Sequence, residues 1–266
     1  MRRIMILVLL LALAATVAAQ DNFEPVEVLT VEVLAEYPHD TTSFTQGLLL
    51  HTDGLLYESG GQYGQSTLRA VERETGEVLR RFDLPEQFFA EGLALVDNRL
   101  IQLTWRENTA IVYEVEAGAE DDTFEPLGTF QYNGQGWGLC YDGDVLYHSN
   151  GSNAITVRDP ETFEQVGSYR VTLYGAFVDQ LNELECVDDD IYANVWNSDT
   201  ILRFDSTTGV VNAVIDGAGL LTPEERAVAG SGGVLNGIAY DPENDVFLIT
   251  GKYWPTMFEV NFIPAG

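Results

Sequence analysis

One pattern returns five times along this chain: a short apolar run, an Asp/Gly/Asn turn, and a second apolar run. Its first copy reads Thr45–Leu50, His51–Gly54, Leu55–Ser59, and its second Ala90–Leu95, Val96–Asn98, Leu100–Trp105. The third reads Gly136–Tyr141, Asp142–Asp144, Val145–Asn150, and the fourth Asn182–Cys186, Asp188–Asp190, Ile191–Trp196. The fifth reads Asn236–Tyr240, Asp241–Asp245, Val246–Lys252. Anchored on Leu48, Leu93, Leu139, Leu184 and Ile238, the spacings are 45, 46, 45 and 54 residues. Repeats of this length, made of short strands joined by tight turns, are those of propeller blades. A sandwich of similar strands would not impose such a period.

A third strand is expected after each hairpin, at Thr67–Val71, Ala110–Val115, Ala154–Arg158, Ile201–Phe204 and Met257–Val260. The first four repeats have room for a fourth, as in Glu77–Phe82 and Gln165–Val171. The fifth runs out of chain, and Val28–Tyr37 is free to supply its outer edge. The expected fold is therefore an all-β, five-bladed β-propeller, its ring closed by an N-terminal strand that completes the last blade. Closure in this way hides edges that would otherwise pair with other chains. The long fourth interval carries an insertion, Leu220–Gly233, whose Thr222-Pro223-Glu224-Glu225 start predicts a capped short helix.

Strand one begins and strand two ends at the same mouth of each hairpin. The first-strand starts carry Gln46, Glu91, Trp137, Asn182 with Glu183, and Asn236. The second-strand ends carry Gly60, Trp105, Asn150, Trp196 and Lys252. Polar and aromatic residues that differ from copy to copy at a repeated position are not explained by blade packing. They converge on one end of a central funnel, the usual geometry of a binding site. Glu185, by contrast, reads as a solvated strand residue, and Asn182 and Asn236 could each cap a turn. All four Trp lie at or beside these hairpin ends, counting Trp254.

Lys252 is the only lysine; the other 12 of the 13 basic residues are Arg. A lysine is a compact point charge whose pKa burial can move, whereas Arg is a planar fork that stays charged. Its place in Thr250-Gly251-Lys252-Tyr253-Trp254-Pro255 makes it a candidate for work that Arg cannot do.

Other chemistries find little support. His39, His51 and His148 show no metal-ligand spacing, Cys-x-x-Cys is absent, and no nucleophile elbow occurs. Asp241–Asp245 lacks the glycine and terminal Glu of a calcium loop and reads as a hairpin turn. No cofactor and no metal are expected. The formal net charge of −29 repels nucleic acid and anionic membranes. Cys140 and Cys186 fall on facing sides of neighbouring blades, and a disulfide across the third and fourth repeats is expected.

Residues 1–19 read as a signal peptide: Arg2-Arg3, an apolar Ile4–Val17, and small residues at Val17-Ala18-Ala19. The chain is expected to be exported, to a periplasm or outside the cell, as one domain over residues 20–266. Cleavage after Ala19 would place Gln20 at the N-terminus.

Taken together, the motifs resemble the plant and bacterial type of glutaminyl-peptide cyclotransferase, the glutamine cyclotransferase family. The resemblance rests on Phe44-Thr45-Gln46-Gly47-Leu48, Tyr57–Gly64, Ala90-Glu91-Gly92-Leu93, Gln102–Trp105, Gly136-Trp137-Gly138-Leu139, Leu181–Glu185, Ala193–Trp196, Leu235–Ala239 and Thr250–Pro255. It covers all five repeats. It implies a five-bladed propeller that converts N-terminal Gln of peptides and proteins to pyroglutamate with release of ammonia. Carried over by motif, the site set is Phe44, Gln46, Glu91, Trp105, Trp137, Asn182, Trp196 and Lys252. Gln135 and Asn150 depart from the family pattern, which has Glu before Gly-Trp-Gly and Asp in the Ser-Asp-Gly-Ser segment.

On this reading Glu91 is the general acid/base, and Lys252, with Asn182 or Gln46, binds the γ-carboxamide. Phe44, Trp105, Trp137 and Trp196 form the walls. The expected partners are Gln-initiated peptides, with no nucleic acid or membrane, and the chain is expected to be a monomer. Two rival readings are a non-enzymatic propeller that binds peptide N-termini or another small ligand, and a calcium-dependent propeller hydrolase, for which no adequate ligand cluster is visible.

Overall fold

A computed structural model describes residues 25–115 and 124–266. The expected signal peptide at 1–19, and Gln20 with it, lie outside the described residues. The fold is all-β. After β1 (Glu27–Pro38) come β2 (Thr45–Leu50), β3 (Leu55–Gly60), β4 (Thr67–Glu72) and β5 (Val78–Asp83), then β6 (Ala90–Val96), β7 (Arg99–Thr104), β8 (Thr109–Glu114) and β9 (Pro126–Gln131). A third set comprises β10 (Leu139–Tyr141), β11 (Leu146–Ser149), β12 (Ala154–Arg158) and β13 (Gln165–Arg170), followed by the small hairpin β14 (Thr172–Leu173) and β15 (Ala176–Phe177). Then come β16 (Leu181–Val187), β17 (Asp190–Val195), β18 (Thr200–Asp205), β19 (Val211–Asp216), α1 (Pro223–Ala229), β20 (Leu235–Asp241), β21 (Val246–Gly251) and β22 (Thr256–Pro264).

β2–β5, β6–β9 and β10–β13 are separate four-stranded antiparallel meanders. The remaining strands join in one eight-stranded sheet, ordered β16-β17-β18-β19-β1-β22-β21-β20. β1 is the reason. It runs antiparallel to β22 from Leu29 to Pro38, as expected of an outer edge for the fifth repeat. Its first residues, Glu27–Thr30, also pair in parallel with Ala213–Asp216 of β19. The closing strand therefore serves two units, which the repeat alone does not foretell.

Burial falls from the first strand of each unit to the last. β2 and β3 are buried almost throughout, while β5 alternates between half-buried and exposed positions. A strand covered on both faces tolerates a run such as Leu48-Leu49-Leu50, and an outer strand shows the period-two pattern of one wet face. The five first strands pack on one another in a closed cycle: β2 on β6, β6 on β10, β10 on β16, β16 on β20, and β20 on β2.

That close approach explains a recurrent glycine. Gly47, Gly92, Gly138 and Gly237 each follow the variable residue of a first-strand start. A Cβ on Gly47 would lie 2.7 Å from the Leu93 nitrogen, and one on Gly92 2.5 Å from the Leu139 nitrogen. Only glycine lets backbones meet so closely. The fourth unit has Glu183 in this slot, and its carboxylate accepts the Ile238 N–H of the fifth unit at 2.9 Å.

Further latches join the units. Ser149 Oγ donates to the Asn182 carbonyl at 2.6 Å, the Gly237 N–H to Asn194 Oδ1 at 2.9 Å, and Asn236 Nδ2 to the Thr45 carbonyl at 2.9 Å. Cys140 and Cys186 form the expected disulfide between the third and fourth units, with Cα atoms 5.5 Å apart.

The expected helix is present as α1. Thr222 caps it, with the reciprocal Glu225 bond of a capping box, an arrangement worth about 1 kcal/mol. The Asp241–Asp245 segment is a turn whose Asp241 Oδ1 accepts the Glu243 N–H, while Oδ2 pairs with Arg73. Among the described residues no helix is long and apolar enough to cross a membrane.

Candidate active site

Four first strands break their ladder at the same place. Pairing slips between Thr45 and Gly47, Ala90 and Leu93, Leu181 and Leu184, and Leu235 and Ile238. The residues left out of register are Gln46, Glu91, Asn182 and Asn236, each with a glycine or Glu183 beside it. A bulge frees a residue from the pleat and re-aims its side chain. In the third unit Trp137 takes this position through a different contact, its N–H donating to the Ser149 carbonyl at 3.1 Å. One backbone device thus delivers a different side chain from each unit.

Glu91, Asn182 and Asn236 are at most 3% exposed. Glu91 Oε2, Asn182 Oδ1 and Asn236 Oδ1 are buried acceptors with no donor. Leaving a buried acceptor unmet costs about 1–3 kcal/mol, and three of the equivalent slots each hold one that an N–H donor would satisfy. Asn236 Nδ2 donates to Gln46 Oε1 at 3.2 Å. That fixes the Gln46 amide with its nitrogen available to Glu91, where it favours the ionised carboxyl.

Lys252 is 2% exposed. Its N–H holds the Val234 carbonyl at 2.9 Å, and its Nζ stands 4.5 Å from the centroid of the Phe44 ring. Burial lowers its pKa to about 8, with the Glu91 charge acting in the opposite direction. Burial likewise raises the Glu91 carboxyl well above its ordinary range; Lys252 opposes this, Glu107 adds to it, and Gln46 opposes it. A base made less basic and an acid made less acidic, buried within each other's field, are the kind of pair found where protons are transferred.

The aromatic residues form a connected wall. Phe89 packs edge-on against Phe44, with centroids 5.9 Å apart, and lies 5.5 Å from Trp105. Trp105 Nε1 and Trp137 Nε1 both donate to Gln135 Oε1, at 2.8 and 3.0 Å. Trp137 meets Trp196 edge-on at 5.8 Å. Trp196 is 43% exposed and stands at the rim. Gly151, next to Asn150, lies flat against Trp137, where an added Cβ would come within 2.6 Å of the indole.

Of the eight residues singled out from the sequence, Phe44, Gln46, Glu91 and Lys252 form one coupled group, and Trp105, Trp137 and Trp196 form another. Phe89 joins the two. Asn182 occupies the equivalent bulge, and its side chain makes no hydrogen bond to either group. Two expectations are corrected. Trp254 is fully buried, donates to the Gly233 carbonyl and packs on Phe258; it is core, because the chain turns inward after Lys252. Glu185 is half-buried and accepts the Tyr240 N–H at 2.8 Å, and burial lifts its pKa to about 8.

The sequence reading placed Asn236 in the slot of Gln46, Glu91, Trp137 and Asn182 but left it out of the site set, and it gave no role to Phe89 or Gln135. Gln135 stands at the offset held by Phe44, Phe89, Gln180 and Val234 in the other repeats, but its bridge between two indoles exists only in three dimensions.

The comparisons agree with the motif reading. Residues 5–262 match the profile of the glutamine cyclotransferase family. The chain is 37% identical over 242 residues to a glutaminyl-peptide cyclotransferase of Arabidopsis thaliana, covering 89% of this chain and 72% of the relative. It also resembles the crystal structure of Myxococcus xanthus glutaminyl cyclase, with a TM-score of 0.81 and 38% identity over 91% of this chain and all of the other. This chain belongs to the glutamine cyclotransferase family.

Proposed function

We propose that the protein is a five-bladed β-propeller enzyme that cyclises N-terminal glutamine of peptides and proteins to pyroglutamate, releasing ammonia. The observation that carries this is the Glu91–Lys252 pair: a buried acid and the sole lysine, each within the other's field and shifted in opposite directions by burial. The closed cycle of five first strands supports the propeller, with β1 as outer strand of the fifth blade.

A Gln-initiated peptide brings an α-amine and a γ-carboxamide, both rich in N–H donors. These suit the acceptors of Glu91, Asn182 and Asn236. The α-amine nitrogen attacks the γ-carbonyl carbon, forming the ring C–N bond and a tetrahedral oxyanion. Glu91 takes the proton the amine loses and returns it to the amide nitrogen, whose bond to carbon breaks as ammonia departs. Such acid-base assistance contributes about 10² to 10⁴-fold. Lys252 stabilises the oxyanion, with the Gln46 or Asn182 amide assisting, and one such donor contributes about 10² to 10³-fold. Phe44, Trp105, Trp137 and Trp196 fold the side chain toward ring closure and exclude water.

Residues 1–19 direct export, to a periplasm or beyond the cell, and the mature enzyme is a monomer. Gln20, once exposed by cleavage, is itself a substrate. The test is ammonia release from a Gln-initiated dipeptide. Tight binding of the dipeptide without ammonia would favour a non-enzymatic binder of N-termini, a reading for which the same unmet acceptors also speak.

A further inference from the structure

His39 has no part in the scheme above, yet it links, directly and through Glu58, the two segments that create the Phe44–Lys252 contact. Its Nδ1 is 2.7 Å from the Trp254 carbonyl oxygen, two residues beyond Lys252. Its Nε2 is 3.1 Å from Glu58 Oε1. The same carboxylate oxygen accepts from Ser43 Oγ at 2.6 Å and Thr45 Oγ1 at 2.7 Å, the residues on either side of Phe44. The Tyr253 N–H donates to the Ser43 carbonyl at 2.6 Å, closing the loop between the two segments. The His39 and Glu58 side chains are 7% and 3% exposed.

The partners determine how many protons the ring carries. A peptide carbonyl only accepts, and so does an ionised carboxylate. Arg69 keeps Glu58 ionised through a 2.6 Å bond to its other oxygen, and Asp40 takes the second arm of Arg69 at 2.6 Å. Both ring nitrogens of His39 must therefore donate, which only the imidazolium can do. The charged groups around the ring are Glu58 on β3, Arg69 on β4 and Asp40 on its own loop; Arg73, further along β4, is turned to Asp241 at 3.0 Å. Burial alone would discharge the ring, but the Glu58 charge and the bonds to Glu58 and Trp254 outweigh burial and Arg69, and leave its pKa raised.

We propose that His39 is a positioning residue: a buried imidazolium strut between Glu58 and the Trp254 carbonyl that holds Phe44 against Lys252. Its catalytic purpose rests on the cyclase reading; its protonation and its hold on Phe44 do not.

Two magnetic-resonance readouts test it without catalysis. Long-range proton–nitrogen correlation on wild-type protein should show both His39 ring nitrogens protonated from pH 6 to 8. A single-tautomer pattern at pH 7 overturns the strut. Because Lys252 is the only lysine, its side-chain signals are unique and should be displaced upfield by the Phe44 ring. That displacement should disappear in His39→Gln, and in wild type it should disappear in a step that coincides with loss of the second His39 proton and is separate from Lys252's own titration near pH 8. Lys252 signals that ignore His39 overturn the proposal even if the variant does not fold, since the wild-type titration stands alone.

Kinetics then connect the strut to turnover. Glu58→Gln keeps the shape but removes the counter-charge, and should lower the pH of His39 deprotonation by about one to three pH units. In this variant kcat should begin to fall at the pH of His39 deprotonation, below the limb near pH 8 that Lys252 sets in wild type, and KM should change less than about threefold. A His39 titration that moves while kcat does not follow makes the residue merely structural, against the proposal. Wild-type protein that shows both resonance signatures but releases no ammonia overturns the cyclase reading and leaves the strut in place.

Discussion

Lys252 Nζ stands 4.5 Å from the centre of the Phe44 ring, buried within the field of the Glu91 carboxyl. The aromatic face holds the ammonium in place, and burial leaves it ready to respond to charge that develops beside it. Lys252→Arg keeps a positive charge but replaces a compact donor by a wide fork. Turnover should fall by about 10² to 10³-fold, the usual cost of one lost oxyanion donor. Steady-state kinetics on a Gln-peptide check this, and unchanged kcat would remove Lys252 from the chemistry.

Lys252 also gives activity and stability opposite dependences on pH. With its folded pKa near 8 and an unfolded value of about 10.4, the unfolded chain binds more protons between the two. Its burial therefore opposes folding below about pH 8, and this penalty is relieved as pH rises toward about 10.4. The ammonium that the proposed mechanism uses to stabilise the oxyanion is lost over the same interval. The kcat profile should fall through about pH 8 while the contribution of Lys252 to denaturant stability increases. In Lys252→Arg, the residual activity should lack that limb.

Glu183 occupies a slot that is glycine in the other four units, and its fully buried carboxyl has a raised pKa, from burial first and from Glu185 second. A raised carboxyl makes folding less favourable as pH climbs from the unfolded value to the folded one. Glu183→Gln keeps an acceptor for the Ile238 N–H and removes that cost. We expect stabilisation on the order of 1 kcal/mol at pH 7, a rise in Tm of about 2–4 °C, with little gain at pH 4. Thermal melts at both pH values measure it; destabilisation at pH 7 would contradict the reading.

The disulfide closes a loop of 46 residues between the third and fourth units. Loop-closure entropy for that length is worth about 4 kcal/mol. Cys140→Ser with Cys186→Ser should lower Tm by about 5–15 °C and leave KM at 25 °C within about threefold. Differential scanning calorimetry with and without reductant tests the stability part.

Much of this architecture was legible because a repeat carries its own register. Leu48, Leu93, Leu139, Leu184 and Ile238 located the first strands, and what preceded them located Gln46, Glu91, Trp137 and Asn182. Val28–Tyr37 was recognisable as the missing outer strand, observed as Glu27–Pro38. Its second partner, β19, was not, because a parallel pairing of four residues leaves no periodic trace. Trp254 misled because nearness to Lys252 in sequence says nothing about which way the chain turns afterwards. Glu185 misled because an acid in a very acidic chain is usually wet. Gln135 and His39 were beyond reach: each matters through two partners that only the folded chain brings together.

The central claim is that the Glu91–Lys252 pair performs ring closure, and ammonia release tests it most directly. Purified wild-type protein and Glu91→Gln should be given a Gln-initiated dipeptide at pH 7, with ammonia measured against pyroglutamyl product. The account predicts one ammonia per pyroglutamyl peptide from wild type, and turnover lower by about 10² to 10⁴-fold in Glu91→Gln. Wild-type protein that releases no ammonia, or a Glu91→Gln variant that matches it, would contradict the account.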